Sequence, residues 1–267
     1  MKVHHLNCAT MCPFAGRLLG YQGHRKMVCH TLLIEAPDGL VLVDTGLGLA
    51  DVSTPHKRLG SGFVLLSGPR LDPAETAHAQ VRALGFSPND VRHVVVTHLD
   101  LDHIGGARDF PNARLHVHAR ELSAARERST LRERHRYRTA QLDFPDPVTY
   151  TEAGDRWMGF DAVRGAEGLC DDVLLIPLHG HTRGHCAVAV QDDSGWLLHA
   201  GDAYFHHQEL AEGHAPFILE QFQKILQMDG PARLRNRARL RDLQATSGPS
   251  TVRIFSAHDP VEFERFH

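Results

Sequence analysis

Val94-Val-Val-Thr-His98-Leu-Asp100-Leu-Asp102-His103-Ile-Gly105-Gly106 carries an apolar, β-branched run directly into a Gly-Gly pair. Within six positions it holds four side chains that can bind metal, His98, Asp100, Asp102 and His103. If a strand ends in a turn here, His98 and Asp100 point one way while Asp102 and His103 turn toward an adjacent point. One loop can then serve two metal ions, so this segment predicts a metal site.

Four other motifs combine an apolar run with histidine, aspartate or glycine. They are Val41-Leu-Val-Asp44-Thr-Gly46, Leu178-His-Gly-His181-Thr-Arg-Gly-His185, Leu197-Leu-His-Ala-Gly201-Asp202 and Ile254-Phe-Ser-Ala-His258-Asp259. Taken in the order in which they occur along the chain, the five motifs resemble those of the metallo-β-lactamase superfamily. Its signatures are His-x-His-x-Asp-His before Gly-Gly and, later, Gly-His-Thr-Pro-Gly-His, where this chain has Arg183 in place of proline. The motifs are spread along the chain, which favours a single domain over 1–267.

The resemblance implies an α/β fold, a four-layer αββα sandwich with its metal site at one edge between two sheets. It implies two divalent cations, zinc by family, with manganese or iron as alternatives. Asp44 is expected to support the metal-binding loop through hydrogen bonds rather than to bind metal. The implied metal ligands are His98, Asp100 and His181 for a first ion, Asp102, His103 and His258 for a second, and Asp202 as a bridge.

Asp100 departs from the resemblance, because most members of the superfamily have histidine at this position. A carboxylate is shorter than an imidazole, so Asp100 either binds the first ion directly or holds a water molecule. Its negative charge makes the site less positive, which favours oxygen-preferring ions such as Mn²⁺ or Fe²⁺. The di-iron flavoproteins of the superfamily also carry a carboxylate here, which points the same way.

The composition argues against two classes of partner. Hydrophobic residues make up 42% and charged residues 23% of the 267 positions, and the net charge of −3 gives no sign of a nucleic-acid partner. No apolar run approaches the roughly 20 residues that cross a bilayer, and the N-terminus lacks the apolar core of a signal peptide. We therefore expect no nucleic-acid or membrane partner and a cytoplasmic location.

Cysteine usage predicts free thiols, and histidine usage adds to the metal hypothesis. The five cysteines are odd in number and form no C-x-x-C pair, so free thiols are expected rather than a disulfide framework. Histidine is enriched, with 21 residues, as expected if some bind metal or carry protons. The cysteines are Cys8, Cys12, Cys29, Cys170 and Cys186. The histidines near the motifs that we do not expect to bind metal are His179, His185, His199, His206 and His207.

Short β-type runs alternate with helical patterns, as in layered α/β proteins. The turn residues of Gln191-Asp-Asp-Ser-Gly195 predict a hairpin, and helices are predicted over 72–84, from 119 to about 137, and over 231–244. The Arg- and Glu-rich segment 120–138 favours a solvated helix face. The alternative is a helical lid insertion around 119–147, or a dimer-contact helix, so a homodimer is allowed.

The predicted activity is hydrolysis of a small ester or lactone by a dinuclear metal centre with a bridging hydroxide. N-acyl homoserine lactones are among the small-molecule substrates that the resemblance implies. Asp102 is the candidate to pass a proton to the leaving oxygen. Tyr204 is a candidate to polarise the substrate carbonyl, although lactone-cleaving relatives have tyrosine three residues after the bridging aspartate, where this chain has Phe205.

Two other functions stay open at this point. A di-iron redox protein is less favoured, because such relatives carry a flavin domain for which no residues remain. A non-catalytic ligand-binding or sensing protein is also less favoured, because loss of turnover usually removes at least one ligand. No G-x-S-x-G motif offers a serine nucleophile instead.

Overall fold

The computed structural model describes residues 1–13, 16–21, 26–169, 172–248 and 250–267. Its strands form two six-stranded sheets, each in sequence order across the sheet. The first sheet contains β1 (Lys2–Asn7), β2 (His30–Ala36), β3 (Gly39–Val43), β4 (Val91–Val95), β5 (Arg114–His118) and β6 (Val148–Tyr150). The second contains β7 (Asp155–Trp157), β8 (Phe160–Gly165), β9 (Val173–Pro177), β10 (Cys186–Asp192), β11 (Gly195–His199) and β12 (Val252–Phe255).

Both faces of the central strands are apolar. Leu32 and Ile34 of β2 pack in one buried cluster with Val188 and Val190 of β10, whereas Leu33 packs in another cluster on the opposite face. This alternation follows from the two-residue period of a strand. The two sheets therefore pack face to face, and each has a second apolar face left to cover.

Helices cover those outer faces. Val81 and Leu122 pack on the first sheet, while Leu240 and Leu243 pack on the second. The predicted four-layer αββα sandwich is confirmed. The helices are α1 (Leu49–Ser53), α2 (Pro55–Arg58), α3 (Ser61–Ser67), α4 (Ala77–Ala83), α5 (Leu101–Ile104), α6 (Ala119–Glu127), α7 (Leu131–Arg136), α8 (Gln208–Ala211), α9 (Phe217–Leu226), α10 (Gly230–Thr246) and α11 (Pro260–Phe263).

The strand directions bring the sequence motifs together. Asp44 and His98 follow β3 and β4, which are parallel neighbours in the first sheet. Asp202 and His258 follow β11 and β12, which are parallel neighbours in the second. His181 follows β9, which lies two antiparallel steps from β11 and so runs in the same direction. Each motif thus begins at the carboxyl end of a strand, and carboxyl ends of parallel strands share one edge of a sheet.

The structure corrects two helix predictions and confirms the hairpin. The helix expected from 119 to about 137 is broken at Arg128, whose φ of 44° is left-handed. A new helix, α7, starts after Thr130, whose backbone N–H donates to the Glu133 carboxylate at 2.9 Å. The helix expected over 72–84 begins only at Ala77. β10 and β11 form the hairpin predicted at 191–195.

The expectations for cysteines and membrane spans can be compared directly. Cys8, Cys12, Cys29 and Cys186 are free thiols, as expected, and Cys170 lies outside the described residues. Across the ranges that the structure covers, no helix has the length and apolar character needed to cross a membrane.

Candidate metal centre

Asp44 organises the loop that carries most of the candidate ligands. One of its carboxylate oxygens, Oδ1, accepts the backbone N–H of Thr97 at 2.7 Å, and the other, Oδ2, accepts the Thr97 hydroxyl at 2.8 Å. The same Oδ2 accepts Nδ1–H of His103, also at 2.8 Å. Burial alone would raise the pKa of Asp44, but the neighbouring His103 lowers it, so the carboxylate stays ionised. This is the supporting role predicted for Asp44.

Four atoms that could bind one ion surround a first candidate metal position, which we define by His98, Asp100, His181 and Asp202. Asp100 Oδ2 lies 3.4 Å from His98 Nε2 and 3.0 Å from His181 Nε2. Asp202 Oδ2 lies 3.7 Å from His98 Nε2 and 3.3 Å from His181 Nε2. A tetrahedral ion with bonds of about 2.0–2.2 Å needs ligand atoms about 3.3–3.6 Å apart. The spacing therefore fits one ion, with Asp100 close enough to bind it directly.

A second position adjoins the first on the other oxygen of Asp202. Asp202 Oδ1 lies 3.4 Å from His103 Nε2 and 3.1 Å from His258 Nε2. Asp102 Oδ2 lies 3.5 Å from His258 Nε2. Asp202 thus presents one oxygen to each group, which is the arrangement expected of a bridging carboxylate.

For three of the four candidate ligand imidazoles, a hydrogen bond on the far side of the ring fixes which nitrogen faces inward. His103 Nδ1 donates to the Asp44 carboxylate, and His258 Nδ1 donates to the Val28 carbonyl at 2.8 Å. His98 Nδ1 lies 2.9 Å from the Thr97 hydroxyl oxygen, whose own hydrogen goes to Asp44. Because these partners accept, each Nε2 keeps a lone pair directed toward the candidate site.

Three atoms of these groups lack hydrogen-bond partners. Nε2 of His98, Nε2 of His103 and Oδ1 of Asp202 are buried and unpaired. Buried polar atoms are rarely left without partners, and here acceptors face acceptors. Cations at the two positions would satisfy them, so the residues present fit a pair of divalent ions.

The pKa shifts of the clustered side chains show how strongly this place attracts positive charge. Burial alone would lower the pKa of His258, but the Asp202 carboxylate raises it to about 10. Burial alone would also lower the pKa of His103, but the carboxylates of Asp202 and Asp44 raise it well above its usual value. Burial would raise the pKa of Asp202, yet the surrounding imidazoles hold it well below its usual range. The cluster therefore attracts positive charge strongly.

Arg136 belongs to this site, although no sequence motif marked it. Its Nη1 donates to Asp100 Oδ2 at 2.7 Å and lies 3.1 Å from His181 Nε2. Its Nη2 donates to the Leu226 carbonyl, so the side chain is held from two sides. Burial would raise the pKa of Asp100, but the Arg136 guanidinium holds it well below its usual range. The only sequence signal was the Arg- and Glu-rich segment, for which a solvated face was favoured.

Tyr204 does not join the cluster. Its hydroxyl donates to the Glu262 carboxylate at 3.0 and 3.1 Å, and the side chain is fully buried. The next residue, Phe205, faces the centre instead, with its ring centroid 5.8 Å from that of His181 and 5.1 Å from that of His258. The expectation that Tyr204 polarises a substrate carbonyl is therefore corrected: successive residues point to opposite sides here, and Tyr204 points into the core.

The remaining histidines near the motifs lie outside the two positions. His185 Nδ1 donates to the Leu178 carbonyl, and its Nε2 accepts the backbone N–H of Asp202 at 2.9 Å. His185 thus orients the segment that carries Asp202, the candidate bridging residue. His179, His199, His206 and His207 are also absent from both groups.

Known proteins are similar to this chain in sequence. The sequence profile of the metallo-beta-lactamase superfamily matches residues 25–237. "Probable metallo-hydrolase Rv2300c" of Mycobacterium tuberculosis is 43% identical over 262 residues, which are 97% of this chain and 81% of that protein. "N-acyl homoserine lactonase AttM" of Azorhizobium caulinodans is 30% identical over 238 residues, 88% of this chain and 82% of that protein.

A solved structure is also similar. It is an N-acyl homoserine lactone hydrolase with the product N-hexanoyl-L-homoserine bound at its catalytic metal centre. It superposes with a TM-score of 0.71 at 20% identity and covers 99% of this chain and 95% of that one. At this identity the similarity shows a shared fold.

Proposed function

This chain belongs to the metallo-β-lactamase superfamily, and we propose that it is a metal-dependent hydrolase that cleaves a small ester or lactone. One observation carries the proposal: two adjacent groups of ligand atoms share Asp202, one carboxylate oxygen to each. His98, Asp100 and His181 would hold the first ion with Asp202, and Asp102, His103 and His258 would hold the second. When bound, two divalent cations supply a hydroxide nucleophile at neutral pH and polarise a carbonyl oxygen.

Asp102 is the residue that we assign to proton transfer. Its side chain is 11% exposed, against 4% for Asp202, so it is the more accessible of these two carboxylates to solvent. A carboxylate in this place can take a proton from the nucleophile and deliver it to the leaving oxygen. Asp202, by contrast, is enclosed by imidazoles on both of its oxygens and serves to hold the two positions together.

The surroundings of the centre support a substrate with an apolar part. The Phe205 ring contacts two of the ligand imidazoles, and Phe222 of α9 lies beyond it, with ring centroids 6.3 Å apart. Phe222 is 41% exposed, so aromatic carbon runs from solvent to the candidate ligands. An acylated lactone offers both an apolar chain and a reactive carbonyl. Relatives named as N-acyl homoserine lactonases make this class the first to test.

The helices α6 and α7 are proposed as a lid over this centre. Glu121 of α6 is buried, and its carboxylate accepts the backbone N–H of Leu99 at 3.1 Å and of Gly184 at 2.9 Å. Glu121 thereby ties α6 to two of the loops that carry candidate ligands, the loops after β4 and β9. Arg136 of α7 reaches Asp100, so the second helix is tied to the first metal position as well.

A substrate panel on metal-loaded protein tests the proposal. The protein, reconstituted with Zn²⁺ or Mn²⁺, is assayed against N-acyl homoserine lactones, simple aryl esters and aryl phosphoesters. The proposal expects metal-dependent cleavage of lactones or carboxylic esters that is lost with chelator. Cleavage of phosphoesters alone would overturn the substrate class, and full activity without metal would overturn the mechanism. A homodimer stays a prediction, which sedimentation analysis tests.

A further inference from the structure

Arg136 presents a positive charge to the first metal position. Its Nη1 atom lies 2.7 Å from Asp100 Oδ2 and 3.1 Å from His181 Nε2, and both side chains belong to the four that define the position. An arginine has donors and no acceptor, so a hydrogen bond to His181 Nε2 uses the lone pair that an ion would take. The guanidinium therefore uses ligand atoms that the first ion also needs.

Several contacts hold Arg136 in this place. Its Nη2 atom donates to the Leu226 carbonyl, and the next residue, Tyr137, is fully buried. One turn earlier on α7, the buried Glu133 carboxylate accepts Nε–H of Arg183 at 2.6 Å. Arg183 stands where the superfamily motif has proline, which offers no side-chain donor, and it ties α7 to the loop after β9. The charge of Arg136 is therefore kept beside the first position by the fold itself.

The second position has no such neighbour. Within the described ranges, the ion pairs of Asp102 and Asp202 are all with histidines, and none is with lysine or arginine. His103 Nε2 and Asp202 Oδ1, which face this position, are buried without hydrogen-bond partners. An ion at the second position therefore meets no arginine charge.

We propose that Arg136 competes with the first ion and weakens its binding, so that the two positions fill in a fixed order, the second before the first. The inference rests on the dinuclear centre of the proposed function. Like charges repel strongly at short range where water is excluded, and the Arg136 side chain is only 6% exposed. Asp100 offsets part of this repulsion, and its Oδ1 atom is buried without a partner, so the first ion is weakened rather than excluded.

The sign of the effect separates this role from a structural one. Loss of an anchoring contact weakens a metal site, because the ligands are held less well. Loss of a competing charge strengthens it. Arg136→Met should therefore bind the first ion at least about tenfold more tightly than the parent, with the second ion unchanged. Arg136→Lys keeps the charge and should stay close to the parent.

Competition with a chelating indicator measures the order of filling without measuring turnover. The stripped parent is titrated with Zn²⁺ against an indicator of known affinity, which should resolve a tight and a weaker step. His258→Ala removes a ligand of the second position and should abolish the tight step, whereas His181→Ala should abolish the weaker one. The opposite assignment, or two ions of equal affinity in the parent, would overturn the proposed order.

The Arg136 variants are compared with Arg132→Met in the same titration. Arg132 is exposed on α7 and donates to the Gln227 carbonyl at 2.7 Å, so its loss removes a similar anchor without touching a candidate ligand. Arg132→Met should bind both ions as the parent does. Thermal melting of the stripped variants verifies that they fold, and the order of filling is decided without any Arg136 variant.

Two kinds of failure can be told apart. A first ion bound equally or more weakly in folded Arg136→Met than in the parent would overturn the role of Arg136 and leave the dinuclear centre standing. A parent that binds fewer than two ions would overturn the dinuclear centre, and this inference with it.

Discussion

The Arg136 guanidinium donates to the Asp100 carboxylate, with 2.7 Å between Nη1 and Oδ2. Together the two side chains carry the same net charge as the neutral imidazole that most superfamily members have at this position. The loss of positive charge expected from Asp100 alone is thus offset by a residue 36 positions further along the chain. We interpret Asp100 and Arg136 as one unit that links the first metal position to α7.

If Asp100 and Arg136 act as one unit, the effect of substituting Asp100 on metal binding should depend on whether Arg136 is present. Asp100→His should lower occupancy of the first position, because Arg136 would then face an imidazole with no carboxylate to accept its hydrogen bond. Asp100→His combined with Arg136→Met should restore binding and shift preference toward Zn²⁺. Competition among Zn²⁺, Mn²⁺ and Fe²⁺, read by elemental analysis, measures this.

Arg134→Met is the control for that comparison. Arg134 lies on the same helix but is exposed, and it donates to the Arg128 carbonyl. Its loss should leave the metal ratios unchanged. If the two Asp100 variants also match the parent in relative occupancy, Asp100 is not a ligand.

Tyr204→Phe should affect stability and spare the chemistry. The hydroxyl donates to buried Glu262, so its removal should cost about 1 kcal/mol of unfolding free energy and lower the melting temperature. Metal content and turnover should stay those of the parent. A loss on the order of 100-fold in rate would instead indicate a donor to the developing oxyanion and would contradict the position described for Tyr204.

The raised pKa of Glu262 predicts that the unfolding free energy falls as the pH rises. Burial raises the pKa of its carboxyl group from 4.5 to about 8. The unfolded chain ionises first, so stability should fall as the pH rises from about 4.5 through about 8 and then level off. Glu262→Gln should flatten this decline in denaturant unfolding between pH 5 and 9. Exposed Glu127→Gln serves as the control, and equal slopes in both variants would refute the prediction.

Hydrolysis should proceed without a covalent acyl-enzyme. The centre offers carboxylates and imidazoles as ligands, and the proposed nucleophile comes from water. Pre-steady-state kinetics on an active ester should therefore lack a burst of released alcohol, and chelator should abolish turnover. A stoichiometric burst, or trapping of an acylated side chain by mass spectrometry, would require a different mechanism.

The predictable part of the site is the part with local signals. His98, Asp202 and His258 each follow an apolar strand within a few residues, so strand ends and motif order together predict their meeting at one edge. Arg136 carries no such signal, because it reaches the centre from the end of a charged helix that has its own local role.

Tyr204 shows where a spacing argument fails. Its distance from Asp202 differs by one residue from the lactonase pattern, and in the turns that follow Asp202 a shift of one residue changes the side to which a side chain points. Phe205 takes the place beside the imidazoles, and Tyr204 turns to Glu262. The break at Arg128 had one local signal, the Thr130-x-x-Glu133 capping pattern that starts a new helix, but the high content of arginine and glutamate favours one continuous helix.

The number of metal ions per chain tests the central claim most directly. The purified protein is stripped, reloaded with Zn²⁺, freed of excess metal and measured by elemental analysis against protein concentration, beside Asp202→Ala. The shared carboxylate predicts two ions per chain in the parent and loss of at least one in the variant. One ion or none in the reloaded parent, or an unchanged count in Asp202→Ala, would contradict the dinuclear centre.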